Sequence, residues 1–538
     1  MANKHLIGKQ IIDIEVNSSD KIYAMQQKVS ELVWKDLLPM LTTMFDRIVG
    51  EDEVISLNRI ELDIGHINLN NRAQIIEIVD KIIKLLEKTI EERVKNLSIH
   101  KNGFKVKNEN QNDKTFDLKK DVYHRKQKEN LEHYSKEKRT NREHTDNESK
   151  LEKNNRQLLR RYYFDLWLYW LEKGRLPSYT IEPTEDWMPL ILETLGIDID
   201  AVTILENKLR EYPIALKRLV LQHTGKDLKS IVELYTGFSQ TKLLDLCKEI
   251  KDLSKNQSAK SIPIDDRVLE INIWQYIFKE VILGRKKLES ISLGIAVMKQ
   301  PFMTFLFKET VNIKVIKTET DYPFLQAILE KVPQVHEKEK EISLLKDDDE
   351  IDDGKDGFLE IEDAVSNEEE LETPQFFNNA GVVLLHPFLS SFYRKLGLLG
   401  EKDFIDFKAQ SKAVVLLHFL ATAKEDPKEY EMVLPKFLCQ MPVNIPLDHS
   451  IKLTKEEKVE ANNLLQAVIE HWGVLGGTSP DGLREGFLMR EGKLEKEQTG
   501  WKLFVEQKTL DILLDRLPWN LGLIKLPWMK EILKVEWR

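Results

Sequence analysis

Apolar positions alternate in two stretches of the first hundred residues and fall at helical spacing after each of them. In residues 5–16, Ile12, Ile14 and Val16 share one side, which is the period of a strand. Ser19 or Asp20 can cap a helix running to about Val49, with Ile22, Met25, Val29, Leu32 and Val33 on one stripe. Pro39 has no N–H to donate and is expected to bend or divide that helix. The run VISLNRIELDIG, Val54–Gly65, alternates again. It sets Leu57, Arg59, Glu61 and Asp63 on one face and Asn58, Ile60, Leu62 and Ile64 on the other. A second helix is predicted from about Arg72 to Leu97, carrying Ile75, Ile78, Val79, Ile82, Leu86 and Ile90. Residues 1–98 therefore read as a small β-α-β-α module.

The pattern then stops. Residues 121–150 hold eight Lys/Arg and seven Asp/Glu, so burial cannot offset the entropy of ordering them, and 99–156 reads as a polar polyampholyte linker. The balancing acids argue against a basic arm for nucleic acid. Residues 157–338 regain helical spacing as a middle block. YYFDLWLYWLEKGRLPSY is echoed by INIWQYIFKEVILGRKKLES, each an aromatic helix ending at Gly-Arg, and YPIALKRLVLQHT resembles KQPFMTFLFKET in placing Pro before an amphipathic run. Two diverged helical repeats are one reading of these echoes. Residues 339–373 form a second linker, in which Asp347–Glu372 carries fourteen acids against one base, Lys355.

The block 374–538 is the densest. AQSKAVVLLHFLATAK is apolar nearly all round, as a central helix is. TKEEKVEANNLLQAVIEHWG has a capping box of Thr454 with Glu457 and is expected to end at Gly473. Ser479 and Pro480 occupy the N-cap and first position of another helix. TGWKLFVEQ alternates as one strand of a hairpin, and ILKVEWR alternates likewise. The fold class is thus α+β, mainly helical: a β-α-β-α module, a helical middle and a C-terminal α+β block, joined by polar linkers.

Charge and composition narrow the function. Of 538 residues 41 % are apolar and 32 % charged, which suits several soluble domains, and no run of about eighteen apolar residues offers a membrane span. A net charge of −10 speaks against a general nucleic-acid binder. Two distant cysteines, Cys247 and Cys439, give no disulfide framework or zinc site and fit a reducing cytoplasm.

Candidate chemistry is sparse. Ser479 in GTSPDG lacks the glycine of a nucleophile elbow and suits an N-cap. A dyad of Cys439 with His418 or His471 is conceivable, but a cysteine in an apolar helix is more often inert packing. His386, His418 and His471 sit among apolar residues like core histidines. Arg59, Glu61 and Asp63 suit an ion pair better than acid/base work. DDGKDGFLEIED, Asp352–Asp363, fails an EF-hand loop at Gly354 and Asp363. No catalytic, cofactor-binding or metal residue is assigned. The remaining candidates are structural or docking residues of two Leu-Pro-Trp corners and the final tryptophan: Leu517, Pro518, Trp519, Leu526, Pro527, Trp528 and Trp537.

NRIELDIG, WLEKGRLPSY and the ordered series LLHPFL, AVVLLHFLAT, EYEMVLPKFLCQMPVNIP, LLQAVIEHWGVL, TSPDGLREGFLMREGKL, DILLDRLPWNLGLIKLPWM and VEW resemble the tape measure proteins of contractile injection systems. These are bacterial, phage-tail-like particles in which a contracting sheath drives an inner tube. The chain departs from the family at Pro435 and Gln440, where a polar residue and a glycine are usual. The resemblance implies a non-enzymatic assembly protein that sets tube length, with inner-tube and baseplate or hub proteins as partners. It implies no nucleic acid, membrane or cofactor, and a place in the cytoplasm during assembly or inside the particle. A scaffold or chaperone of tube assembly without a measuring role is the alternative, and a particle-borne enzyme or effector a third.

Overall fold

The computed structural model describes residues 5–8, 10–14, 22–50, 52–66, 71–95, 155–178, 180–183, 186–256, 265–300, 303, 322–331, 373–498 and 500–537. The polyampholyte 101–150, the acidic run and its calcium-loop motif, and most of KQPFMTFLFKET lie outside these residues. The chain divides into two compact units: Met1–Asp165 with Tyr179–Asp198, and Leu166–Ser178 with Ile199–Arg538. Its class is mainly helical α+β.

In the first unit the helix expected to Val49 forms as Ile22–Glu31 and Leu38–Ile48, joined without a break by a π-helical turn, Leu32–Leu37. Pro39 explains the junction. It cannot donate to the preceding turn, and the wider π turn makes room for its ring without ending the helix. Arg72–Lys95 is the second helix, and its Ile78, Val79, Ile82, Ile83 and Ile90 meet Val33, Leu37, Leu41 and Met44 in one core. The expected strands are shorter than the alternation suggests. Residues 5–8 and 10–14 join no ladder, and only Glu53–Ser56 (β1) of the second run is a strand, antiparallel to Asn155–Leu158 (β2). Ile60, Leu62 and Ile64 still turn onto the core. Their alternation is real, but a ladder needs a partner as well as a pattern.

In the second unit helices from the middle of the chain include Ile199–Glu211, Pro213–Gln222, Gly225–Thr236, Lys242–Asn256, Asp266–Phe278 and Ser290–Met298. Thr224 caps one of them reciprocally with Asp227, and Gly237 ends it in the left-handed region. The buried Glu249 carboxylate accepts the N–H groups of Phe324 (3.2 Å) and Leu325 (2.7 Å) at the start of helix 323–331, where an anion is favoured. The two aromatic helices end differently. Gly174 itself takes φ +73°, whereas after Gly284 it is Arg285 that turns over, at φ 51°.

The C-terminal part builds a five-stranded sheet in the order β3-β4-β5-β7-β6, from Gln375–Phe377, Gly492–Glu497, Gly500–Val505, Leu533–Glu536 and Leu523–Ile524 in that spatial order. β4 and β5 form the expected hairpin, and β5 and β7 are the parallel pair. Leu494, Leu503 and Leu533 turn inward, toward a core that includes the helix Phe407–Thr422. That helix is buried nearly all round, as its sequence predicts. Thr454, Glu457 and Ser479 cap as expected.

Gly381 packs directly against the main chain of Phe487 and Leu488 in this core. A Cβ there would lie 1.7 Å from the Phe487 carbonyl oxygen, and backbone on both sides leaves nothing to yield. Gly381→Ala is expected to destabilise the second unit by more than about 3 kcal/mol in urea unfolding. Gly473→Ala, whose Cβ would meet nothing within 4 Å, is expected to change stability by less than about 1 kcal/mol.

Candidate functional site: a buried ion cluster and the Leu-Pro-Trp corners

The segment Met441–Leu447 is an irregular loop that is nonetheless buried at every position except Pro442. A buried loop has no ladder to satisfy its main-chain groups, so side chains must do so. Lys436, two turns upstream, donates to Val443 O (3.0 Å) and Ile445 O (2.8 Å). Arg218 donates to Asn444 O and, in the other direction, to Leu171 O at the end of the first aromatic helix. Glu429 accepts from Leu447 N (3.2 Å). Gln222 donates to Leu447 O (2.7 Å), and His449 N to Leu221 O (3.1 Å).

The same three charged groups pair with one another. Glu429 accepts Arg218 Nε at 2.9 Å through one oxygen and Lys436 Nζ at 2.6 Å through the other, with all three side chains 0 % exposed. Two cations face one carboxylate, so the excess positive charge is solvated by the carbonyls of Leu171, Val443, Asn444 and Ile445. Burial pushes the Lys436 ammonium down to about 8, with Glu429 opposing and Arg218 adding to the fall.

WLEKGRLPSY closes this cluster from the other side. A Cβ on Gly174 would lie 2.5 Å from Val443 O and 2.6 Å from Arg218 Nη2, so only glycine admits the loop so close. Arg175 reaches Thr373 Oγ1 (3.3 Å), and Ser178 Oγ donates to Pro374 O (3.2 Å). Trp167 donates to His223 Nε2 (3.0 Å), which leaves the His223 proton on Nδ1 for Leu219 O (2.9 Å). Arg267 holds Asp448 at 3.1 Å.

The two Leu-Pro-Trp corners flank the edge strand β6. Trp528 is buried, packs against Tyr393 and Phe404 (5.6 and 5.1 Å between ring centroids), and donates from Nε1 to Leu438 O (2.8 Å). Leu438 ends the helix Val433–Leu438, where carbonyls lack an intrahelical partner. Trp519 is half-buried, stands edge-on to Phe388 (5.2 Å) and donates to Leu384 O (3.1 Å). Leu526 is buried and Leu517 half-buried, while Pro518 and Pro527 are exposed. Neither proline can donate to a further ladder, so the edge cannot lengthen in either direction. Trp537 is buried at the end of β7.

The other candidates are dispersed. Cys439 is buried, its thiol pushed up to about 12 by burial, and it meets the Tyr393 hydroxyl (3.8 Å). His418 is buried against Asn379 Nδ2 (3.3 Å) and the Glu431 carboxylate (3.6 Å), and burial holds its pKa down to about 4. His471 is exposed and bonded to Ala467 O, against the expectation of a core histidine, because its helix turns that position to solvent. His386 is bonded to Val383 O. Arg59 pairs with Glu61 at 2.5 Å. Among the described residues no group of three His, Cys, Asp or Glu could hold a metal ion, and no helix is long and apolar enough to cross a membrane.

Sequence reading passed over Arg218, Glu429, Lys436, Arg484 and Arg490. Arg484 is buried between Leu420 O (3.1 Å), Asp481 (2.7 Å) and Asn462 (2.9 Å), and Arg490 pairs with Asp511 (2.9 Å). A signal was present, since Lys436 is a single charge inside the apolar run MVLPKFLC and Arg218 lies with Lys217 inside the apolar run IALKRLVLQ. Gln440 holds φ 55°, the left-handed conformation that a glycine adopts freely.

The charged side chains of this cluster bind main-chain carbonyls and one another. The chain belongs to the contractile injection system tape measure protein family, whose sequence model matches residues 4–537. No curated protein and no solved structure matches it.

Arg218→Met leaves Glu429 and the carbonyls of Leu171 and Asn444 short of partners and is expected to cost about 3–5 kcal/mol in urea unfolding. Trp528→Ala is expected to cost about 3–5 kcal/mol, and the half-buried Trp519→Ala less, about 1–3 kcal/mol. Equal losses for the two tryptophans would contradict their different burial.

Proposed function

We propose that this protein sets inner-tube length during assembly of a contractile injection particle, acting in the cytoplasm with inner-tube and baseplate or hub proteins. The observation that supports this is the family match along residues 4–537, which runs through the polar segment 99–156. That segment carries few apolar residues, so it is the part of the chain best able to change length without disturbing a core. In this reading the folded parts engage other particle components and the polar segment carries the gauge.

A second reading, a scaffold or chaperone of tube assembly, is favoured by the described residues themselves. Their longest regular α-helix, Arg72–Lys95, has 24 residues and spans about 36 Å at about 1.5 Å per residue, and the helical run Ile22–Ile48, with its π turn, is of similar length. Buried ion pairs and interlocked loops suit a body that keeps its shape more than one that is drawn out.

Electron microscopy of particles separates the two. Deleting forty residues within 101–150 is expected to shorten every tube by one uniform amount, about 60 Å for a helical gauge and at most about 130–145 Å for an extended one. Unchanged or scattered lengths would exclude this segment as the gauge, and absent tubes would favour the scaffold. In the same assay, a Trp519→Ala protein that folds normally but yields no particles would make that corner a docking platform.

A further inference from the structure

The helix Arg72–Lys95 precedes the polar segment and β2, Asn155–Leu158, follows it, and both flanks belong to the unit that contains Met1–Asp165. Two hydrogen bonds and a ladder fix where these flanks stand. Lys81 Nζ donates to Ile64 O (2.8 Å) and Arg93 Nη1 to Arg59 O (3.0 Å). Twelve helical residues rise about 18 Å and five extended ones about 17 Å, so the helix runs back along residues 59–64 in step with them. Lys95 therefore comes close to the end of β1, where Ser56 is the partner of Asn155. The end of the helix and the start of β2 lie within roughly 20 Å of each other. Between them in sequence stand residues 96–154, with roughly 195–210 Å of chain when extended.

We propose that the polar segment acts doubled: it leaves the first unit, returns to it, and is kept so by the β1–β2 ladder. This rests on the gauge reading above and sets its step. A chain that runs once along the tube contributes its full rise per residue, whereas one that runs out and back contributes half. Forty deleted residues then shorten the tube by about 30 Å with helical arms. With extended arms the loss is at most about 65–72 Å. Charge agrees with two arms side by side, since residues 121–150 hold eight Lys/Arg and seven Asp/Glu, and a segment of one sign would repel itself. A single passage has a structural cost. Asn155–Leu158 must leave β1, which breaks the four-residue ladder and the bond from Leu159 N to Asp52 O (2.8 Å).

A disulfide across the ladder tests this. Asp52 and Leu159 are hydrogen-bonded to each other, so Glu53 and Leu158 form the next, non-hydrogen-bonded pair, whose side chains approach most closely. Glu53→Cys with Leu158→Cys is oxidised in a host with an oxidising cytoplasm and stays reduced in an ordinary one, while Cys247 and Cys439 are buried. Particles from both hosts are measured by electron microscopy, with and without the forty-residue deletion. The oxidised chain is expected to give tubes of wild-type length, and the deletion to shorten tubes by the halved step in both hosts. Tubes lost or shortened only with the oxidised chain overturn the proposal and leave the gauge reading standing. A step above about 72 Å does the same, because a doubled chain cannot supply it. A deletion without effect on length removes the gauge reading and this proposal with it. A second readout needs no cysteine. With a specific protease site placed within 101–150 of the otherwise wild-type chain, the two fragments are expected to elute as one species after the cut, and their separation overturns the proposal.

Discussion

The second unit depends on the neutralisation of one buried loop. Residues 441–447 enter the interior without secondary structure, and unpaired main-chain groups there would each cost on the order of 1–3 kcal/mol. Arg218, Glu429 and Lys436 satisfy four of these groups, and Arg218 also the Leu171 carbonyl, while neutralising part of their own charge. The cluster unites segments more than two hundred residues apart in sequence. Replacing such a cluster with apolar residues can be tolerated elsewhere, but here the carbonyls would remain. The charges are kept because the loop needs donors.

Gly174 admits the loop, Lys436 and Glu429 hold it, and Arg175 and Ser178 fasten residues 373 and 374 beside the start of β3. Arg484 and Arg490 serve helix ends and turns in the same way. Charged residues in a motif often invite a catalytic reading. In this chain their partners are main-chain carbonyls and one another.

The tryptophans add a second device. Trp472, Trp519 and Trp528 each donate an indole N–H to a carbonyl, those of Leu513, Leu384 and Leu438. All three acceptors lie within or at the end of short helical turns, where carbonyls lack a regular partner. An indole supplies a donor together with a large apolar surface, so one side chain completes a helix end and fills the core beside it. The flanking prolines then stop the sheet from growing. Packing and edge protection thus meet in a single repeated tripeptide.

The sequence alone determined the elements whose causes are local. The Thr454–Glu457 capping box, the Ser479 start, the central helix and the β4–β5 hairpin are set by residues within a few positions of one another, and they stand where the pattern puts them. The π turn before Pro39 needed only the missing N–H for its place, though not its form. Tertiary structure decided whatever required a distant partner. Alternation in residues 5–14 and 57–65 could not say whether a second strand was present, and the parallel pairing of β5 with β7 joins segments separated by the whole Leu-Pro-Trp region. Most of all, the roles of Arg218 and Glu429 were out of reach. A charge on an apolar stripe shows that a partner must exist, but only the packed fold shows that the partner lies 211 residues away.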